Sequence, residues 1–195
     1  MSIEFKLTRD PQLLAQYYDL RERCFRQELG LSDFNGSEEE QDRHGHVVLA
    51  IQDGRCIGGA RISPNIQLQS QVKQLELKAD ACCMWERFVF DPAVRTVQLI
   101  RNFFAHLVEI TKAVGFDHAM VLSSLINARF YRKFSAPLGV GFQIHRHVPH
   151  SAKGSFAGLE HYLSVAHLHG AQPAMQPADT QVPTYSNVMK RQRLG

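Results

Sequence analysis

Three groups of residues in this chain could do chemistry. The first centres on Glu86, inside the apolar run Met84–Phe90 (MWERFVF), whose aromatic content predicts a central strand. A carboxylate facing a cleft there is partly desolvated, which favours proton uptake and suits a general base. The competing reading is a carboxylate salt-bridged on the sheet surface. Strand alternation sends Trp85 and Arg87 to the opposite face, so only one of Glu86 and Arg87 reaches a cleft unless a bulge re-aims the other. The second group is Arg21 and Arg61 with the acidic stretch Glu39, Glu40 and Asp42. Arginine forms bidentate pairs with carboxylates, so these residues can hold a substrate carboxylate, order the acidic loop, or both. The third is His145-x-His147-x-x-His150 with Cys82-Cys83. Zinc sites need about four protein ligands, three when catalytic, and no carboxylate or cysteine accompanies these histidines. No metal is therefore expected. The paired cysteines have no histidine in a nucleophile pattern and read as buried, inert thiols.

These groups must be positioned by an ordinary globular chain. Its 195 residues are 44% hydrophobic and 21% charged. A chain of that size buries about two-thirds of its unfolded surface and needs no disulfide or metal staple. No apolar run reaches the ~20 residues of a membrane span. MSIEFKLTRD is charged and lacks a leader-like apolar stretch, so the expectation is a cytoplasmic protein with reduced thiols. The net charge of +3 is too mild to indicate nucleic-acid binding.

Asp10-Pro11 predicts a helix start, running to about Glu28 and ended by Gly30. Residues 31–45 read as a polar loop with an acidic turn. Val47–Gln52 and Arg55–Ile62 read as a hairpin across Asp53-Gly54. Residues 65–82 are ambiguous. After Met84–Phe90 come a long helix over about Arg95–Val114, a strand at His118–Ser123 and a short helix at Asn127–Phe134. Two late strands follow, Gly141–His147 and Leu159–Val165. Residues 1–168 are expected to form one domain, and 169–195 a flexible tail. Hairpins together with a strand–helix–strand crossover predict an α/β (α+β) domain with a mixed sheet.

Several stretches, in order, resemble acyl-homoserine-lactone synthases. Leu20-Arg21 with Phe25 and Glu28-Leu29-Gly30 is similar to that family's opening helix. Glu39, Glu40 and Asp42 before His46-Val47-Val48 resemble its acidic loop. Ile57-Gly58-Gly59-Ala60-Arg61-Ile62-Ser63-Pro64 resembles "IG-x-x-RL-x-P", and Trp85-Glu86-Arg87-Phe88 resembles "WE-x-SRF" with two residues missing. Gly158-Leu159 through Leu163 resembles the closing strand. Asn127–Phe134 also resembles the "A-x-x-FY-x-K-x-GF" helix of ordinary GNAT acyltransferases. Departures are Leu31 where the family has tryptophan, Glu39 and Asp42 for its paired aspartates, and two possible placements of its glutamate, Met84 or Glu86.

The resemblance implies a GNAT-like, mostly antiparallel twisted sheet flanked by helices, with a V-shaped central cleft. It implies an N-acyltransferase moving an acyl group from acyl carrier protein to the amine of S-adenosylmethionine, giving an acyl-homoserine lactone signal used in quorum sensing. Glu86 and Arg87 would be catalytic, and Arg21, Phe25, Glu39, Asp42, Arg61, Trp85 and Phe88 would bind substrate. By its residue type alone Phe25 reads rather as core. No permanently bound cofactor is expected. The GNAT phosphate loop R-x-x-G-x-G/A corresponds to Arg95-Thr96-Val97-Gln98-Leu99-Ile100, with both glycine positions filled. Backbone approach to a coenzyme A pyrophosphate is harder without glycine, which favours a carrier-protein donor over acyl-CoA. Arg95, Arg101, Arg129, Arg132 and Lys133 could dock an acidic carrier protein. The alternatives are a GNAT-type N-acyltransferase with another amine acceptor and a carrier-protein or acyl-CoA donor, or a non-catalytic module that binds an acyl ligand or a partner.

Overall fold

A computed structural model of the chain describes residues 2–64, 67–148, 150 and 154–170. The elements follow in the order β1 (Ile3–Leu7), α1 (Pro11–Leu29), α2 (Glu40–His44), β2 (His46–Gln52), β3 (Arg55–Pro64), α3 (Gln69–Gln74), β4 (Cys82–Phe90), α4 (Val97–Ala113), β5 (His118–Ser123), α5 (Leu125–Ser135), β6 (Gly141–His145) and β7 (Tyr162–His167). The strands form one seven-stranded sheet, ordered β1-β2-β3-β4-β5-β7-β6. Every pairing is antiparallel except β4 with β5.

Local chemistry explains most boundaries. Asp10 caps α1, its carboxylate accepting from the amides of Gln12 and Leu13, with Pro11 at the first helical position. Gly30 closes the helix at φ +67°, a left-handed turn that glycine adopts freely. Thr96 caps α4 and Ser124 caps α5. The α4 stripe Leu99, Phe103, Phe104, Leu107, Val108 and Thr111 is buried against the sheet. Gly58 permits close strand packing, since a Cβ there would lie 2.3 Å from the Phe90 ring.

Four corrections apply to the expected elements. The first strand, β1, comes from a stretch that reads as merely charged. The acidic turn is a short helix, α2, and the ambiguous stretch holds α3. The expected strand Gly141–His147 stops at His145, where the chain turns, so His147 lies outside it. The expected tail lies outside the described residues from 171 onward. No described helix is long and apolar enough to cross a membrane.

The sheet separates two faces. Helices α4 and α5 cover one, over a core that includes Trp85, Phe90, Phe103, Phe104, Phe134 and Val121. The other carries α1 over Val47, Leu49, Ile51 and Val89, and α3 over Met84, Met120, Leu163 and Val165. Strands β4 and β5 pair only through Cys82, Cys83 and Met84. Beyond Met84 they splay, leaving one edge of β4 without a ladder partner at the centre of the sheet.

At the opposite end of β5, His118 Nδ1 and His167 Nδ1 are 3.2 Å apart. Burial, then the neighbouring His118 and His145, pushes His167 down to about 4, and burial also lowers His118. Both rings bind protons less readily in the folded than in the unfolded chain. In the window from about pH 6.5 down to about pH 4, stability therefore falls with pH. Thermal melts should show a lower Tm at about pH 5 than at about pH 7, and His167→Gln should flatten that dependence. An equal slope in wild type and variant would show that this pair is not its source.

Candidate functional site

The site is built on an irregularity in β4. Gly59 pairs with Val89 and Arg61 with Glu86, so two steps along β3 oppose three along β4. Arg87 sits at the extra position with φ +55°. A non-glycine residue held there costs about 1–3 kcal/mol of backbone strain. The Tyr17 hydroxyl donates to the Arg87 carbonyl at 2.8 Å and helps hold the bulge. Trp85, Phe88 and Phe90 pack on the α4 side, whereas Glu86 and Arg87 both join groups on the α1 side. The bulge thus places two sequence neighbours in one cluster, which regular alternation forbids.

That cluster alternates three guanidiniums with three carboxylates. Arg61, 1% exposed, donates from Nε (3.2 Å) and Nη2 (2.9 Å) to Glu86 Oε2. Its Nη1 reaches Glu39 Oε2 at 2.6 Å and Asp42 Oδ1 at 3.0 Å. Arg21, fully buried, grips both Asp42 oxygens and the carbonyls of Gly36 and Ser37. Arg87 grips Glu39 with Nε at 2.9 Å and Nη2 at 2.7 Å. The Glu39 amide donates to Asp42 Oδ2, which fixes the start of α2. Burial raises the Glu39 carboxyl, but the Arg87 hydrogen bonds and the charges of Arg87, Arg61 and Arg21 outweigh it and hold the group at about 2. Burial lowers Arg61, yet Glu86, Asp42 and Glu39 more than offset this and hold it above its usual value. Glu39 and Arg61 are therefore both charged at neutral pH.

Glu86 takes a third donor, Ser63 Oγ, on Oε2 at 2.6 Å. Among the described residues nothing hydrogen-bonds its Oε1. Met84, the other candidate for the glutamate position, lies in the α3-side core. Beside the ion cluster stand three rings, Phe25, Phe34 and Phe156, within 4.9–5.8 Å of one another. The Arg87 guanidinium lies 4.6 Å from the Phe156 centroid, a cation–π contact.

The structure brings Glu86, Arg87, Arg21, Arg61, Glu39 and Asp42 together, with Phe25 packed at their margin. Trp85 points the other way, its Nε1 donating to Thr111 Oγ1 at 2.9 Å. Phe88 packs on Phe90, Phe103 and Tyr131. Neither aromatic ring joins the ion cluster. Arg95 pairs with Glu28, Arg101 lies over Phe134, and Arg129, Arg132 and Lys133 are exposed on α5. All four cysteines are free and buried, and burial raises each thiol, Cys82 to about 11. Among the described residues no group of three or more His, Cys, Asp or Glu side chains could hold a metal ion. Ser63, Phe34, Phe156 and Tyr17 belong to the site but were not foreseen as such. Only Ser63 carried a signal, its spacing of two from Arg61 on one strand face.

A family model described as the acetyltransferase (GNAT) family matches residues 14–135. No curated protein matches the chain. Among solved structures, a protein from Lactobacillus plantarum assigned as an N-acetyltransferase superposes with a TM-score of 0.61 at 18% identity, covering 85% of this chain and 97% of that one. The AHL synthase LasI superposes with a TM-score of 0.58 at 15% identity, covering 90% and 98%. The CoA-dependent acyl-homoserine lactone synthase BjaI, bound to SAM and isopentyl-CoA, gives a TM-score of 0.60 at 16% identity, covering 81% and 77%. At such identities these likenesses concern the fold.

Proposed function

Since this chain belongs to the acetyltransferase (GNAT) family, we propose that it is an N-acyltransferase of the acyl-homoserine-lactone-synthase type. It takes an acyl group from the phosphopantetheine thioester of acyl carrier protein and places it on the amine of S-adenosylmethionine. The observation that carries this reading is the open Oε1 of Glu86, beside Arg87 and next to the splay of β4 from β5.

Each step has a residue. The acceptor enters on the α1 side with its amine at Glu86 Oε1. A carboxylate on the same acceptor meets Arg87, whose Nη1 donates no hydrogen bond to any described residue. The donor thioester lies in the splay, where unpaired β4 amides face the developing oxyanion. The neutral amine attacks the carbonyl carbon, the C–S bond breaks, and the pantetheine thiol leaves. Glu86 takes the proton the nitrogen loses, directly or through water, and the leaving thiolate regains one. Proximity supplies much of the rate, and no covalent enzyme intermediate is required. The acceptor carboxylate then closes the lactone by expelling methylthioadenosine.

A second reading keeps the transfer but changes the acceptor to a different amine, with a carrier-protein or acyl-CoA donor. The departures Leu31 and Glu39 favour it, because both flank the acceptor side. Incubation with purified acyl carrier proteins and S-adenosylmethionine separates the two. Acyl-homoserine lactone and methylthioadenosine in equal amounts are expected by mass spectrometry. Thiol release with other amines but none with S-adenosylmethionine, across acyl lengths, would move the assignment to the second reading.

A further inference from the structure

We propose that Ser63 is a positioning residue for this acyl transfer: with Arg61 it clamps one oxygen of Glu86 and leaves the other turned to the amine. The proposal rests on the acyltransferase reading above, but its geometry is independent of which acyl group or amine is used.

Three donors converge on Glu86 Oε2: Ser63 Oγ at 2.6 Å, Arg61 Nη2 at 2.9 Å and Arg61 Nε at 3.2 Å. Oε1 receives none among the described residues. The arrangement is unusual for a guanidinium, which tends to face both carboxylate oxygens in parallel. The same cluster shows that tendency in Arg87, which uses two nitrogens on the two oxygens of Glu39. Two features pull Arg61 and Glu86 away from it. Arg61 Nη1 is drawn off to Glu39 and Asp42. The Ser63 hydroxyl fills the remaining acceptor site of Oε2 and holds that oxygen in place.

Ser63 can do this because of strand geometry. It follows Arg61 by two residues on β3, so both side chains leave the same face. In register it opposes Met84, which places it diagonal to Glu86, within reach of a longer side chain. It is 2% exposed, so water does not compete for its hydroxyl. A hydroxyl donating to a carboxylate from a buried position is a strong, directional bond. Rotation of the carboxylate about its terminal bond would exchange the two oxygens and break it. Without Ser63, the carboxylate is free to turn and share both oxygens with the Arg61 fork. Oε1 would then be occupied and withdrawn from the amine.

The test compares Ser63→Ala, Ser63→Thr and the size-matched Ser63→Cys with wild type. A crystal structure of Ser63→Ala should show both Glu86 oxygens within hydrogen-bond distance of Arg61. In steady-state acyl transfer, kcat should fall about 10- to 100-fold, as expected for losing a hydrogen bond to a charged group. KM for the amine should stay within about twofold, since binding is not what is lost. Ser63→Thr should restore most of kcat, and Ser63→Cys, a weak donor, should not. If Glu86 keeps its orientation in Ser63→Ala, or if Ser63→Thr fails to restore kcat, Ser63 is only a packing residue. Should wild type transfer no acyl group from any donor to any amine, the functional reading fails, while the Ser63→Ala structure still decides the clamp.

Discussion

Glu86→Gln should lose acyl transfer by about 10²- to 10⁴-fold while keeping its fold, the usual cost of removing a general base. Glutamine retains a carbonyl oxygen that can accept from Arg61 and Ser63, so the cluster keeps much of its geometry. What changes is the group facing the amine: a carboxylate oxygen becomes an amide with no capacity to take a proton. Thiol release from the acyl donor, followed with circular dichroism as a control on folding, measures the effect. A loss smaller than about threefold would remove Glu86 from the role of base and leave it as a structural partner of Arg61.

Arg61→Ala should produce the largest loss of stability in the chain, about 3–5 kcal/mol, the range found when one partner of a buried ion pair is removed. The reason is the count of stranded charges. Arg61 serves Glu86, Glu39 and Asp42 at once and is 1% exposed, while the Asp42 side chain is fully buried. Its removal leaves Glu86 with Ser63 as its one donor among the described residues. For a chain of this length that corresponds to a drop in Tm of about 10 °C. Arg61→Lys should recover little, since an ammonium cannot span three carboxylates with the same fork. The exposed pair Arg43–Glu38 provides the contrast, because Arg43→Ala should change Tm by no more than a degree or two. If Arg61→Ala melts as Arg43→Ala does, the cluster does not hold the acceptor side together.

The long helices were legible in the sequence because their signals are local. Asp10, Pro11 and Gly30 bound α1, and α4 shows its apolar stripe at helical spacing. Strand β5 was likewise bounded as observed, His118–Ser123. The short elements were not. In β1 the alternation of Ile3, Phe5 and Leu7 spans only five residues, and its partner β2 supplies what makes it a strand. The five-residue α2 is set by the Glu39 amide donating to Asp42, with both carboxylates held by distant arginines.

The site divides in the same way. Glu86, Arg87, Arg61, Arg21 and the acidic pair could be named from residue type and resemblance, and the pairing of Arg21 and Arg61 with the acidic stretch was one expected reading, but residue type alone did not place Glu86 and Arg87 on one face. Alternation set Glu86 against Arg87, and the bulge that reconciles them has no glycine or asparagine to announce it. The left-handed residue is Arg87 itself, held by Tyr17 from α1 and by Glu39 from the loop before α2. Phe34 follows α1 and Phe156 ends a short 3-10 turn before β7, far apart in the chain, and the folded structure sets both against Arg87. The choice between Met84 and Glu86 was also beyond spacing. Register separates the two positions, since Arg61 pairs with Glu86 across the ladder while Met84 faces α3.

In the proposed reaction an amine is acylated beside Glu86. The most direct measurement is the product mass from acyl carrier protein and S-adenosylmethionine, run in parallel with wild type and Glu86→Gln. Wild type is predicted to give acyl-homoserine lactone with an equal amount of methylthioadenosine, and Glu86→Gln about one per cent of that or less. Equal lactone from both proteins, or an acylated product of a different amine alone, would contradict it.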